Sequence, residues 1–126
     1  MTLPTILVVD DDPGVQRVMT KFLAMEGFIP VVAGNGEEAL ALLRASRHVQ
    51  VILLDLRMPV MDGWTFRKQQ RLDPLIAGIP VVVLSGADTE RVPELEAAAS
   101  FRKPVSFPEV IDVVRRLCTG SRIAMS

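Results

Sequence analysis

The chain has 126 residues and a mass of 13.8 kDa, which suits one compact domain over residues 1–126 and excludes a two-domain enzyme. Its 49% of hydrophobic residues exclude a disordered chain, and its net charge of -1 gives no field that would attract nucleic acid or an anionic membrane surface. The apolar stretches are too short for a transmembrane span or a signal peptide, and Cys118 is the single cysteine. We therefore expect a cytoplasmic globular domain.

The N-terminal half of the chain alternates short apolar runs with helical patterns. Thr5 to Val9 is an unbroken run that is typical of a strand buried on both faces. A helix follows it, because Asp12 and the proline after it form an N-cap and a first helical position, and Gly27 stands where that helix ends. Phe28 to Ala33 predicts a second strand, and Glu37 to Arg47 predicts the helix after it.

The C-terminal half continues the alternation. Val49 to Leu54, Ile79 to Leu84 and a short run at Ser100 to Arg102 predict three more strands, and an apolar face of period 3.6 predicts a last helix. Proline is best tolerated in the first turn of a helix, so we expect the fourth helix to cover only Pro93 to Ala99, after an irregular loop from Gly86 to Val92. The predicted core spans about residues 5–119, and residues 120–126 are expected to form a flexible tail.

This order of elements predicts an α/β fold with a five-stranded, doubly wound parallel sheet and helices on both faces. Ligands bind such sheets beyond the carboxyl ends of the strands, where this chain places acidic, hydroxyl and ammonium groups. Crowded carboxylates repel one another unless a cation or a raised pKa relieves the repulsion. A divalent cation is the natural relief, and Mg²⁺ prefers such oxygen ligands while leaving positions open for phosphate. The combination indicates a phosphoryl-transfer site. The polar residues at these strand ends are Asp10, Asp11, Asp12, Asp55, Ser85 and Lys103. Asp11 and Asp55 could bind the cation, Ser85 and Lys103 could donate to phosphoryl oxygens, and Asp12 belongs to the helix cap.

Four motifs in order resemble the receiver domain of response regulators in two-component signalling. They are ILVVDDDP from Ile6, LLDLRMPVMDG from Leu53, VVVLSG from Val81 and the pair Lys103-Pro104. The resemblance covers nearly the whole chain and implies a flavodoxin-like sheet of strand order 2-1-3-4-5. It also implies a bacterial signalling protein.

The resemblance assigns a role to each acidic residue of the site. Asp55 becomes the phosphoacceptor, which takes a phosphoryl group from a histidine kinase or a histidine phosphotransfer protein. Asp11 and Asp55 become direct Mg²⁺ ligands together with the backbone carbonyl of Arg57, and Asp10 acts through water. A receiver of this kind is not an enzyme, although it assists its own phosphorylation and dephosphorylation.

The resemblance also implies how the remaining groups act, and one of them departs from the family pattern. Ser85 becomes the switch hydroxyl, Lys103 contacts the phosphoryl group, and the peptide before Pro104 is cis. The family usually has Tyr or Phe where this chain has Ser100, so the usual aromatic switch is missing. Because the fourth helix and fifth strand form the usual output and dimer surface, we expect an atypical output.

Three functional hypotheses remain at this stage. The leading one is a phosphorylation-controlled switch, either a stand-alone receiver without a DNA-binding effector or a receiver cut from a larger protein. The second is a constitutive interaction adaptor whose output ignores phosphorylation. The third is a Mg²⁺-dependent phosphatase or a flavin protein, which Arg57 and the acidic run after the first strand disfavour. For the other polar residues we expect solvated positions, namely His48, Arg67, Lys68 and Arg71.

Overall fold

The computed structural model describes residues 3–46, 48–86 and 89–125. Strands and helices alternate along them as the sequence predicts, and a 3-10 helix, called here the 3-10 segment, follows the fourth strand. The elements are β1 Thr5–Val9, α1 Pro13–Met25, β2 Ile29–Ala33, α2 Gly36–Ser46, β3 Val49–Asp55, α3 Gly63–Leu72, β4 Val81–Ser85, the 3-10 segment Thr89–Leu95, β5 Ala99–Arg102 and α4 Phe107–Met125.

The five strands form one parallel sheet of order β2-β1-β3-β4-β5, which confirms the predicted fold class and strand order. The register aligns the carboxyl ends of the central strands. Val9, at the end of β1, lies opposite Leu54 of β3, so Asp10 and Asp55 follow at the same edge. Ser85, at the end of β4, lies opposite Arg102 of β5, one residue before Lys103.

Two hydrophobic layers cover the two faces of the sheet. Alternate residues of β1 point to opposite sides: Leu7 and Val9 join one layer, and Ile6 and Val8 join the other. The first layer contains buried residues of α2 and α3, and the second contains those of α1 and α4. Strands β1, β3 and β4 are almost wholly buried, as their unbroken apolar runs predict.

The fourth helix is short, as predicted, but the predicted bounds are wrong. The 3-10 segment contains Pro93 at an inner position, where the fixed φ of proline is compatible with 3-10 geometry. Ala98 and Ala99, which the prediction places in this helix, lie beside β4 instead. The Ala98 amide donates to the Val81 carbonyl, and Ala99 begins β5. Part of the predicted loop, Ala87 and Asp88, lies outside the described residues, as does Arg47 at the end of the predicted second helix.

The C-terminal residues extend the last helix. The backbone of α4 is helical as far as Met125, which includes most of the expected tail, while Ser126 lies outside the described residues. Among the helices that the structure describes, none combines the length and apolar character needed to cross a bilayer.

Candidate functional site

The ends of four strands bring the predicted site residues to one edge of the sheet. Asp10 follows β1, Asp55 ends β3 and Ser85 ends β4, and all three are buried. Lys103 follows β5, and its backbone amide donates to the Ser85 carbonyl at 2.8 Å, which joins the ends of β4 and β5. The expectation that polar site residues lie at the carboxyl ends of the parallel strands therefore locates these four residues correctly.

Three carboxylates form an acidic cluster at this edge. Asp10, Asp11 and Asp55 each offer an oxygen, and these oxygens lie within 4.8 Å of one another. Asp11 is exposed, whereas Asp10 and Asp55 are buried. An all-oxygen set with one side open to solvent fits a hard cation such as Mg²⁺, which binds one or two carboxylates and keeps several waters.

The orientation of Asp10 is fixed by the start of α1. Its Oδ1 accepts a hydrogen bond from the Asp12 amide at 2.9 Å, and its backbone carbonyl accepts one from the Gln16 side-chain amide at 2.6 Å. Asp12 itself caps α1 by accepting from the Gly14 amide at 2.8 Å. Asp12 is thus a capping residue, and Gln16 is a supporting contact that sequence reasoning missed.

Lys103 lies between the two buried carboxylates. Its Nζ is 3.3 Å from Asp55 Oδ1 and 3.6 Å from Asp10 Oδ2. The peptide between Lys103 and Pro104 is cis, as the family resemblance implies. Burial lowers the pKa of the Lys103 ammonium, but attraction to Asp55 and Asp10 outweighs this effect, so its pKa lies above the ordinary lysine value. The lysine is therefore held in its charged form beside both acids.

Asp55 has the opposite balance of forces. Burial raises the pKa of its carboxyl group above the ordinary aspartate value, and the charge of Asp10 raises it further. Attraction and a hydrogen bond from Lys103 and a backbone hydrogen bond from Arg57 offset these effects only in part. A carboxylate in this position is stabilised when positive charge enters the cluster.

The loop between β3 and α3 packs tightly against the end of β3. The Gly63 amide donates to the Leu56 carbonyl at 2.9 Å, and a Cβ atom on Gly63 would lie 2.6 Å from the Asp55 carbonyl oxygen. Asp62 caps α3 by accepting from the Thr65 amide at 2.8 Å. The Asp62-Gly63 pair therefore starts α3 directly against the backbone of Asp55.

The solvated position predicted for Arg67 is wrong. Arg67 is only 9% exposed, and Gln70, one turn later on α3, is fully buried. These two polar residues share the buried face of α3 with Gly63 and Phe66 at spacings of three and four residues. This spacing is the one feature of the sequence that indicates burial of Arg67 and Gln70. Polar side chains normally lie on the solvent face of a helix, so the indication is weak. His48 is exposed, as expected.

Comparisons with known proteins agree with this geometry. The protein-family model described as the response regulator receiver domain matches residues 6–115 of the chain. The chain is 32% identical over 130 residues to the transcriptional regulatory protein AruR of Pseudomonas aeruginosa, with 98% of this chain and 53% of AruR covered. It is 40% identical over 88 residues to the autoinducer 1 sensor kinase/phosphatase LuxN of Vibrio campbellii, with 70% of this chain and 10% of LuxN covered.

A solved structure supports the same assignment. The response regulator receiver protein from Pseudomonas putida superposes with a TM-score of 0.86 at 27% identity, covering 92% of this chain and 98% of that one. The chain spans 53% and 10% of the two curated relatives, so their full-length activities extend beyond the matched region. Sequence, sheet order and site geometry agree, and the chain belongs to the response regulator receiver domain family.

Proposed function

We propose that this receiver domain is a phosphoacceptor that works in the cytoplasm of a bacterium. Asp55 accepts a phosphoryl group from the phosphohistidine of a histidine kinase or a phosphotransfer protein, and the modified domain then changes a protein-interaction surface. The observation that carries the proposal is the cluster of Asp10, Asp11 and Asp55, with the Lys103 ammonium 3.3 Å from Asp55. The likeness to a sensor kinase supports the class of donor.

The proposed step is an in-line substitution at phosphorus. A carboxylate oxygen of Asp55 forms the new O–P bond while the P–N bond of the phosphohistidine breaks. The electron pair of that bond remains on the imidazole nitrogen, and the ring leaves as neutral imidazole because its other nitrogen carries a proton. Such transfers need positioning and charge neutralisation more than a general base, so the absence of a histidine at the acidic cluster is no obstacle.

The neighbouring residues neutralise and hold the phosphoryl group. Asp11, Asp55 and the Arg57 carbonyl would hold Mg²⁺, with Asp10 acting through water, and the ion would offset negative charge on the phosphoryl oxygens. The Lys103 ammonium stands between Asp10 and Asp55 and pairs with one phosphoryl oxygen. Ser85, at the end of the adjacent strand, donates its hydroxyl to another. The same groups assist both the gain and the loss of the phosphoryl group.

Intact-protein mass spectrometry after treatment with acetyl phosphate tests the proposal. We expect a single phosphoryl addition that requires Mg²⁺ and disappears in Asp55→Asn. Asp12→Asn is the matched control, because Asp12 caps α1 outside the acidic cluster and its asparagine variant keeps the capping oxygen. Absence of any addition, while a known receiver reacts under the same conditions, would contradict the proposal.

One observation favours a constitutive adaptor as the second candidate. Ser100 of β5 is small and exposed at the position where an aromatic side chain would connect the site to the surface. In the adaptor, partner binding is independent of the state of Asp55. Once a partner is identified, its affinity should be measured with and without beryllofluoride, a phosphoryl mimic. A severalfold change excludes the adaptor, and an unchanged affinity supports it.

A further inference from the structure

A buried arginine and a buried glutamine, called here the polar clamp, connect α3 to the 3-10 segment. Arg67 donates from Nε to the Leu95 carbonyl at 2.9 Å and from Nη2 to the Glu96 carbonyl at 3.0 Å. Its Nη1 donates to the side-chain oxygen of Gln70 at 2.7 Å. One guanidinium group therefore binds the end of the 3-10 segment to the middle of α3.

Gln70 connects the polar clamp to the residues that precede β4 in the sequence. Its amide nitrogen donates to the Ile76 carbonyl at 2.9 Å and to the Ile79 carbonyl at 3.0 Å. Ile76 and Ile79 precede β4, whereas the acceptors of Arg67 follow it. The polar clamp thus holds both connections of the strand that ends in Ser85.

The charge of Arg67 is buried among hydrogen-bond acceptors that carry no charge. Its three hydrogen-bond acceptors are two backbone carbonyls and a side-chain amide, so these bonds do not neutralise the buried charge. The carboxylate of Glu96 lies on the surface, 3.0 Å from Arg71. Burial of a cation costs desolvation free energy, which hydrogen bonds to neutral acceptors offset only in part.

The opposite side of the 3-10 segment has room for movement. A cavity of about 410 Å³ separates the segment from β5. Val92 and Pro93 line it on one side, Ser100 and Phe101 line it on the other, and Ser85 lies in its wall. A second cavity, of about 640 Å³, lies between α3 and the 3-10 segment, so the polar clamp joins the two elements beside open space on both sides of the segment.

We propose that Arg67 is a positioning residue that holds the 3-10 segment in the unphosphorylated arrangement, and that release of the polar clamp accompanies movement of Ser85 toward the phosphoryl group. The inference rests on the proposed phosphoacceptor function. Because a coupling between two sites is reciprocal, weakening the polar clamp must strengthen binding of the phosphoryl group or its mimic. A residue with only a structural role would change the stability of the fold without this effect.

The fluorescence of Trp64 can report this movement. Trp64 of α3 is the single tryptophan, and the guanidinium carbon of Arg91 in the 3-10 segment lies 4.5 Å from the centre of its ring. Separation of the segment from α3 removes the cation from the ring, which changes the emission of Trp64. Arg91→Gln removes this contact and serves as the control for the origin of the signal.

The test is a titration with beryllofluoride at saturating Mg²⁺, with binding followed by fluorine NMR and movement followed by Trp64 emission. We expect Arg67→Met to bind the mimic about fivefold more tightly than the wild type, with Arg67→Lys between them. Arg71→Gln is the matched control, because Arg71 also contacts Glu96 but only through an exposed ion pair. Its affinity should stay within about twofold of the wild type.

Hydrogen exchange on the wild type gives a second measurement that does not depend on the folding of any variant. The amides of Thr89–Leu95 should lose protection when the mimic binds. Unchanged affinity in folded Arg67→Met and Arg67→Lys, or unchanged protection of these amides in a wild type that binds the mimic, overturns the inference about Arg67. A wild type that fails to bind the mimic overturns the phosphoacceptor function and this inference with it.

Discussion

At the scale of one residue, Asp55 shows how a buried carboxyl group is retained at a cost to the stability of the fold. Its carboxylate is buried beside Asp10, and the single ammonium of Lys103 is shared between the two acids. This arrangement raises the pKa of the Asp55 carboxyl group, which means that ionisation of Asp55 opposes folding. The same arrangement makes the carboxylate ready to accept a neutralising partner.

Replacement of Asp55 by asparagine should therefore stabilise the free protein. In Mg²⁺-free buffer at pH 7 we expect Asp55→Asn to increase the free energy of unfolding, because the amide removes a buried negative charge beside Asp10. The folded pKa lies above the unfolded pKa, so the destabilisation is complete above the folded pKa and disappears as the pH falls through it. The gain in Asp55→Asn should shrink in the same acidic range.

Urea unfolding at several pH values measures this difference. Asp12→Asn is the control, since it also removes a carboxylate but lies outside the acidic cluster. A less stable Asp55→Asn protein at pH 7, or a gain that grows as the pH falls, would show that the carboxylate is not under electrostatic strain.

Site residues differ in how well the sequence predicts them. Asp10 and Asp55 are found because each follows an apolar run, Lys103 is found because it follows the short fifth strand and precedes Pro104, and parallel strands end at one edge of the sheet. Arg67 and Gln70 are missed because a polar side chain on a helix is normally solvated. Their acceptors are up to 29 residues away along the chain, so only the folded structure shows that their hydrogen bonds are satisfied.

At the scale of elements, the loop from β3 to α3 shows how a close approach of two backbones sets the position of the site. A Cβ atom at position 63 would be 2.6 Å from the Asp55 carbonyl oxygen and 2.8 Å from Leu56 Cα. Both are backbone atoms, so relief of this overlap must move the end of β3. Glycine at this position therefore fixes the distance between α3 and the end of β3 at Asp55.

We expect Gly63→Ala to lower the free energy of unfolding by about 2 kcal/mol, in the range of overpacked substitutions. It should also slow phosphorylation by acetyl phosphate, because Asp55 moves with the strand end. Gly78→Ala is the matched control: a Cβ there meets no atom within 4 Å, so both properties should remain close to those of the wild type. Chemical unfolding and the initial rate of phosphoryl addition are the measurements, and equal behaviour of the two variants would contradict the argument.

The predicted elements are most accurate where apolar pattern and capping agree. Asp12 and Pro13 locate the start of α1 correctly, and the run from Thr5 to Val9 gives the bounds of β1. The region after β4 is the least accurate, because pairing of β5 with β4 decides where the 3-10 segment must end. Strand pairing at an edge depends on tertiary contacts that a local pattern does not contain.

At the scale of the whole molecule, the strand order brings the residues of the site together, and it does so only in the folded state. Asp10, Asp55 and Lys103 lie at the ends of three strands that are separated in sequence and meet at one edge of the sheet. The alternation of strands and helices predicts a doubly wound parallel sheet, and the family resemblance implies its strand order. A ligand that needs several of these residues at once must bind the folded state and stabilise it.

Mg²⁺ should therefore raise the thermal unfolding midpoint of the free protein. At ten times its dissociation constant the ion should add about 1.4 kcal/mol of stability, provided that it binds only the folded state. Asp11→Asn should remove most of this gain while leaving the fold intact, because Asp11 is an exposed member of the cluster. Calorimetry with sodium chloride at matched ionic strength separates ion binding from general screening of the carboxylates. Equal responses of the wild type and Asp11→Asn to Mg²⁺ would exclude Asp11 as a ligand, whereas equal responses to Mg²⁺ and sodium chloride would exclude a specific site.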